Sequence, residues 1–182
     1  MSLSQQIKEY ALSIGYDYVG IINADGFPGY LEDLEDRYEM YQFAIEGPFR
    51  LYQASDTKLQ MPTARSIIVV AYDYLKESFP DNLSKMIGRF YLSRAQPSSR
   101  YSPMNLARRR LMKEFLTGLG CNVGDRVAVP ERLAAVRSGI ASYGKNSFAF
   151  GRNNGGSFLI LSSFVVDVQL EYDQPIYEAI CP

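Results

Sequence analysis

The run Ser66-Ile-Ile-Val-Val-Ala-Tyr-Asp-Tyr74 is the feature that most constrains the fold of this chain. A continuous β-branched stretch of that length marks a strand buried on both faces. It therefore belongs in the middle of a sheet, with other elements packed above and below it.

The rest of the chain supplies those elements. Ser2 and Gln5 make a capping-box pattern, and Leu3, Ile7, Tyr10, Ala11 and Ile14 recur on one face until Gly15, which predicts an N-terminal helix against the core. Residues 17–23 read as a short strand, and residues 24–28 as the turn after it. Residues 30–46 read as a second helix, with Leu31, Leu34, Tyr38, Tyr41 and Ile45 as its apolar series and Gly47-Pro48 as its stop. Residues 77–103 form a long connection rich in Pro, Ser, Arg and aromatic side chains, with room for a helix at 83–92; long connections in a compact domain are usually functional or mobile.

Residues 105–119 predict an amphipathic helix, with Met112, Phe115, Leu116 and Leu119 on one face and Arg108, Arg109, Arg110 and Lys113 on its flanks. Residues 122–129 pair briefly, and a helix runs from Pro130 to about Ser138. Residues 148–151 open a hairpin that turns at 153–156 and returns as a long strand over 157–167. The fold class that follows is α/β (α+β): one domain with a central mixed β-sheet flanked by helices.

Length and composition fit that reading. A chain of 182 residues has room for one substantial core, and no stretch reaches the roughly 18 uninterrupted apolar residues of a membrane span. The N-terminus lacks the basic-then-apolar pattern of a secretory signal, and the two cysteines, Cys121 and Cys181, stand too far apart to suggest a disulfide framework, so a cytoplasmic protein is expected.

The net charge of −1 hides an asymmetry. Residues 1–60 carry ten acidic side chains against four basic ones, whereas residues 85–113 carry eight basic side chains and no acidic one. That basic block is either a solvated helix face with its loop or a field for a phosphate-bearing partner. Histidine is absent altogether, which excludes a Ser-His-Asp triad, a Cys-His pair and imidazole-bound metal within this chain.

The densest cluster of polar and glycine residues is Gly139-Ile-Ala-Ser-Tyr-Gly-Lys-Asn146, followed by Arg152-Asn-Asn-Gly-Gly-Ser157. It reads as a tight turn, or as a cradle where backbone amides, Lys145, Asn146 and Ser157 approach a ligand's phosphate or amide oxygens. The spacing does not make a Walker A loop, since no Ser or Thr follows Lys145. Asp125 is either a turn residue after Gly124 or a proton donor raised by burial beside an apolar cofactor. Tyr101 and Tyr143 are further donors or packing residues.

The order Val129-Pro-Glu-Arg-Leu-Ala-Ala135, Ser138-Gly-Ile-Ala-Ser-Tyr-Gly-Lys-Asn146, Gly156-Ser-Phe158, Val165-Val-Asp167, Asp173-Gln-Pro175 and Cys181 resembles the cobalamin-binding half of epoxyqueuosine reductases, and less closely the reductive dehalogenases. The resemblance is densest over residues 122–181 and extends upstream through Pro62-Thr-Ala-Arg-Ser-Ile-Ile-Val69.

It implies a nitroreductase-like, corrinoid-reductase-like sheet with helices on both sides, and a cobalamin held without a histidine ligand. It implies that Asp125, six residues before Glu131, is the catalytic acid. It further implies that Arg132, Ser142, Tyr143, Gly144, Lys145, Asn146, Gly156, Ser157 and Phe158 hold the cofactor.

Cys181 would be the first thiolate of a 4Fe-4S cluster, so the resemblance divides the chain into a cobalamin-binding reductase domain over 1–180 and the start of a truncated ferredoxin-like domain at 181–182. The partners implied are tRNA through the basic block 85–113 and an electron-donor protein. Two departures stand out. Gly88-Arg89-Phe90-Tyr91-Leu92 replaces the family's Gly-Arg-Asp-Tyr-His, and Leu161-Ser162-Ser163 replaces its Leu-Gly-Glu. The loss of the Asp-Tyr-His segment leaves open a corrinoid-binding or electron-transfer module without its own substrate, the resemblance leaves open a dehalogenase-like enzyme, and the related fold permits a flavin-dependent nitroreductase-like one.

Overall fold

A computed structural model describes residues 1–48, 50–96, 103–152 and 155–176. Helix α1 (Leu3–Ser13) is capped as expected, with Ser2 Oγ accepting from Gln5 N and Gly15 closing it at a φ of 94°. Strand β1 (Tyr18–Asn23) follows, then the excursion α2 (Pro28–Asp36), α3 (Tyr38–Ile45) and α4 (Leu51–Ala54). Strand β2 (Ser66–Asp73) leads into α5 (Asp81–Ser84), α6 (Arg89–Leu92), α7 (Pro103–Gly118) and α8 (Glu131–Arg137), then the short strands β3 (Ala141–Tyr143) and β4 (Ala149–Gly151) and the long β5 (Leu159–Val166).

The main sheet has the order β1-β2-β5, which puts the Ser66–Asp73 run at its centre, as its β-branched composition requires. Alternate residues of β2 feed two cores. Ile68, Val70 and Tyr72 join Ile21, Ile160 and Phe164 beneath α1 and α7, while Ile67, Val69 and Ala71 join Ile22 and Val165 beneath α8 and β3. The helices thus flank both faces, which is the α/β arrangement expected.

The registered strand pairs among the described residues are all antiparallel, so the sheet is not the mixed one expected. The reason lies in the connections. Asn23 pairs with Ser66 and Asp73 with Leu159, so each helical excursion leaves and returns at the same end of the sheet instead of crossing it.

Three local expectations are corrected. The helix expected over 30–46 breaks at Arg37 into α2 and α3; α2 buries no residue, so no packed face holds the run straight. The helix expected at 83–92 divides into α5 and α6, with the extended Gly88 before α6. The hairpin forms between β3 and β4, turning at residues 144–148, and not between 148–151 and β5.

Two backbone approaches position the site. A Cβ on Gly20 would lie 2.7 Å from Ser138 Cβ, so glycine lets the C-terminal end of α8 sit against β1. The free edge of β1 is covered by the segment around Asp173, whose carboxylate accepts from Ile21 N at 2.8 Å and pairs with Lys8 at 2.6 Å. No helix among the described residues is long and apolar enough to cross a membrane.

Candidate active site

Helix α8 starts immediately behind β5, and two clefts open on either side of its first residue. The larger, of about 1240 Å³, runs between the Gly26–Arg37 turn and helix, the start of α8, the β3–β4 hairpin and β5. Phe27, Leu51, Leu133 and Leu161 give it apolar walls, with Tyr30, Arg132 and Tyr143 among its polar groups. Arg137 pins its rim, donating to Asn23 Oδ1 at 2.9 Å while stacking 4.6 Å from the Phe27 ring centre. Burial pushes the Tyr30 and Tyr143 hydroxyls above their ordinary range, although Arg132 pulls Tyr143 back toward it.

The second cleft, of about 650 Å³, lies at the outer edge of β5 between α7 and the loop 123–127. Its floor is Val123, Val127, Phe164 and Val165, and Arg109, Arg110, Lys113 and Arg126 make its walls basic. Val123 bridges Val166, and Gly124 N donates to Val165 O at 2.9 Å, so the brief pairing expected for 122–129 anchors this loop to the edge strand.

Asp125 lines the smaller cleft with its side chain 80% exposed, 3.4 Å from Lys113 Nζ. The burial expected to raise it is therefore missing. Burial falls on Glu131, whose carboxyl it pushes up to about 7 against the opposing pull of Arg109 and of its hydrogen bond with Ser163. Among the described residues, Glu131 alone lines both clefts.

The residues expected to hold a cofactor fall into four groups. Arg132, Tyr143 and Gly144 line the large cleft. Lys145 and Asn146 are exposed at the hairpin tip, where Asn146 Oδ1 accepts from Phe148 N at 3.1 Å, so the turn reading of this motif holds for Asn146. Ser142 is buried below the tip and donates to Ile176 O at 3.3 Å. Gly156, Ser157 and Phe158 lead into β5 without lining either cleft, and Phe158 packs edge-on against Tyr74. Cys181 and Tyr101 lie outside the described residues.

Glu131 and Phe90 emerge as site residues only in three dimensions, and Arg109, already part of the basic block, lines the smaller cleft. Phe90, from the segment that departs from the family pattern, lines the large cleft. Among the described residues no group of three or more His, Cys, Asp or Glu side chains can hold a metal ion.

No family model matches the chain. Curated relatives do, with 28% identity over 191 residues to the epoxyqueuosine reductase of Staphylococcus aureus and 29% over 189 residues to that of Escherichia coli. Each alignment takes in 97% of this chain and 48% of the relative. Along nearly its whole length, the chain matches epoxyqueuosine reductases. It spans about half the length of the curated relatives it matches.

Among solved structures, an epoxyqueuosine reductase bound to an epoxyqueuosine-modified tRNA-Tyr stem loop superposes with a TM-score of 0.75 at 25% identity, covering 98% of this chain and 48% of that one. The Bacillus subtilis epoxyqueuosine reductase, with an aspartate catalytic loop swung out of its active site, gives 0.73 at 23% identity over 97% of this chain and 48% of that one. A reductive dehalogenase associated with B12-dependent dehalogenation gives 0.61 at 17% identity over 97% of this chain and 21% of that one, a likeness of fold.

Proposed function

We propose that this chain is the corrinoid-holding domain of an oxidoreductase that works as epoxyqueuosine reductases do, removing an epoxide oxygen from a nucleoside carried by tRNA. The observation that carries the reading is the pair of adjoining clefts, one large and apolar beside the Gly-Lys-Asn hairpin, the other basic and bearing Asp125.

The residues present fit a corrinoid. The large cleft exceeds the roughly 300–1,000 Å³ of an ordinary small-molecule pocket, its walls suit a flat ring, and the Tyr30 and Tyr143 hydroxyls and the Arg132 guanidinium suit amide and phosphate oxygens at the rim. Gly144 belongs to the same fit, because a Cβ there would meet the Phe150 ring at 2.5 Å and displace the hairpin tip. When bound, the corrinoid supplies the electron transfer that no side chain of this protein can perform.

The chain's own residues do the remaining work. Arg109, Arg110, Lys113 and Arg126 draw substrate phosphates to the mouth of the smaller cleft. Asp125, on a loop held to β5, gives a proton to the departing oxygen. Two cysteines cannot hold a four-iron cluster, so an iron-sulfur centre that feeds electrons to the corrinoid would need thiolates other than these two.

The test is an assay of the protein, supplied with cobalamin and a chemical reductant, on an epoxyqueuosine-bearing stem loop. Asp125→Asn should retain corrinoid binding and abolish turnover; unchanged turnover would dismiss Asp125 as the acid. A second reading, a corrinoid carrier without its own substrate, draws support from Phe90, which puts an apolar ring in the large cleft where the family has an acid. Corrinoid binding with no epoxide reduction would favour it.

A further inference from the structure

Removing an epoxide oxygen as water breaks two C–O bonds, forms one C=C bond and consumes two electrons and two protons. Asp125 can deliver one proton per turnover, so the second must come from another group that lines the same cleft or from solvent.

Resting on the function proposed above, we infer that Glu131 is the second proton donor of the site, set in the wall between the two clefts. Its position carries the inference. It is the first residue of α8, it lines both the cleft that contains Asp125 and the cleft fitted to the corrinoid, and its Oε1 accepts from Ser163 Oγ at 3.4 Å. None of the ion pairs among the described residues takes it.

Besides the charged groups of the two clefts, the buried Tyr16 hydroxyl lies within electrostatic reach of it, and burial, helped by the Glu131 charge, raises that hydroxyl. From α7, Arg109 lies nearest in effect, its guanidinium 5.5 Å from the Phe164 ring centre, with Arg110, Lys113 and Glu114 farther along the same wall; Arg110 is engaged by Glu114 at 2.7 Å. The loop presents Asp125 and Arg126, and the large cleft presents Arg132 and Tyr143. Burial outweighs these cations, so the carboxyl keeps its proton up to about pH 7.

In the balanced step, the oxygen takes one proton from Asp125 and one from Glu131 and leaves as water. Two electrons arrive singly from an iron-sulfur donor, and the two carbons end joined by a double bond. Both carboxylates then reload from solvent when product departs.

Two measurements test this. Carbon-13 NMR of glutamate carboxyls in the chain alone should show one signal titrating near neutrality, absent in Glu131→Gln, and moved to higher pH in Arg109→Gln. A Glu131 signal titrating with the ordinary carboxylates would overturn the inference. In the reductant-supplied protein at saturating cobalamin, Glu131→Gln should lower epoxide turnover about 100-fold, and Arg109→Gln should extend the alkaline limb of the pH profile upward. A pH profile shared by Glu131→Gln and the parent would also overturn it. Failure of the parent to bind corrinoid or reduce the epoxide would overturn the proposed function, and this inference with it.

Discussion

Lys113 Nζ stands 3.4 Å from the Asp125 carboxylate across the mouth of the smaller cleft, joining helix α7 to the loop that bears the proposed acid. Both side chains are at least half exposed, so the pair does little to stabilise the fold. Lys113→Ala should change unfolding free energy by less than about 1 kcal/mol in a denaturant titration. A loss of several kcal/mol would mean that the loop is held by this pair and not by its backbone bonds to β5.

Glu131 should leave a mark on stability as well as on chemistry. Its folded-state pKa is raised from 4.5 to about 7, so between those values the native molecule binds more protons than the unfolded chain. Stability from this group is therefore greatest below pH 4.5, falls as pH rises through the window, and levels off above about 7. Glu131→Gln should stabilise the protein at pH 8 by roughly 1–3 kcal/mol, discounted for the part of the side chain open to the cleft, and by much less at pH 5. Melts of parent and variant at the two pH values check the difference.

The contrast between Asp125 and Glu131 shows how far the site was legible in sequence. The six-residue spacing before the Glu-Arg pair drew attention to Asp125, and the expected mechanism for a raised acid was burial. Burial instead falls on Glu131, which reads along the chain as an ordinary acidic residue in a helix's first turn. Its environment forms only when α8 packs behind β5 and brings Ser163 and Arg109 to the same carboxyl. No local pattern carries that information.

The fold divides similarly. The buried centre of the sheet, the capped α1 and the short α8 follow from local composition, and all three are present. Strand partners do not follow from it. Residues 149–151 pair backward with 141–143 because the Gly144–Ser147 turn, with Ser147 at a φ of 62°, closes a tight hairpin there. The split at Arg37 was equally hidden, because Leu31, Leu34, Tyr38 and Tyr41 repeat at helical spacing yet none becomes buried.

Gly20 is required by close packing. A methyl group at this position would overlap Ser138 Cβ and Oγ and the Ile140 side chain, all within 2.9 Å. Gly20→Ala should destabilise the protein by about 1–3 kcal/mol and loosen α8 against the sheet. Hydrogen exchange across residues 131–138 measures the second effect; unaltered protection would show that α8 is positioned from elsewhere.

If the basic cleft holds substrate phosphates, affinity for an RNA stem loop should fall steeply with salt. Replacing Arg110 and Lys113 together by alanine should weaken binding and reduce the slope of log K against log salt by about 2, roughly one per phosphate contact removed. Fluorescence anisotropy across a salt series gives both numbers. An unchanged slope would assign these side chains to the solvated surface.

Whether the cleft of about 1240 Å³ holds a corrin ring is measured most directly by titration of the chain with hydroxocobalamin. The visible spectrum should shift with saturation and the melting temperature should rise, with both responses weakened in Arg132→Ala and in Gly144→Val. A spectrum and a melting temperature that stay fixed through the titration would contradict corrinoid binding there.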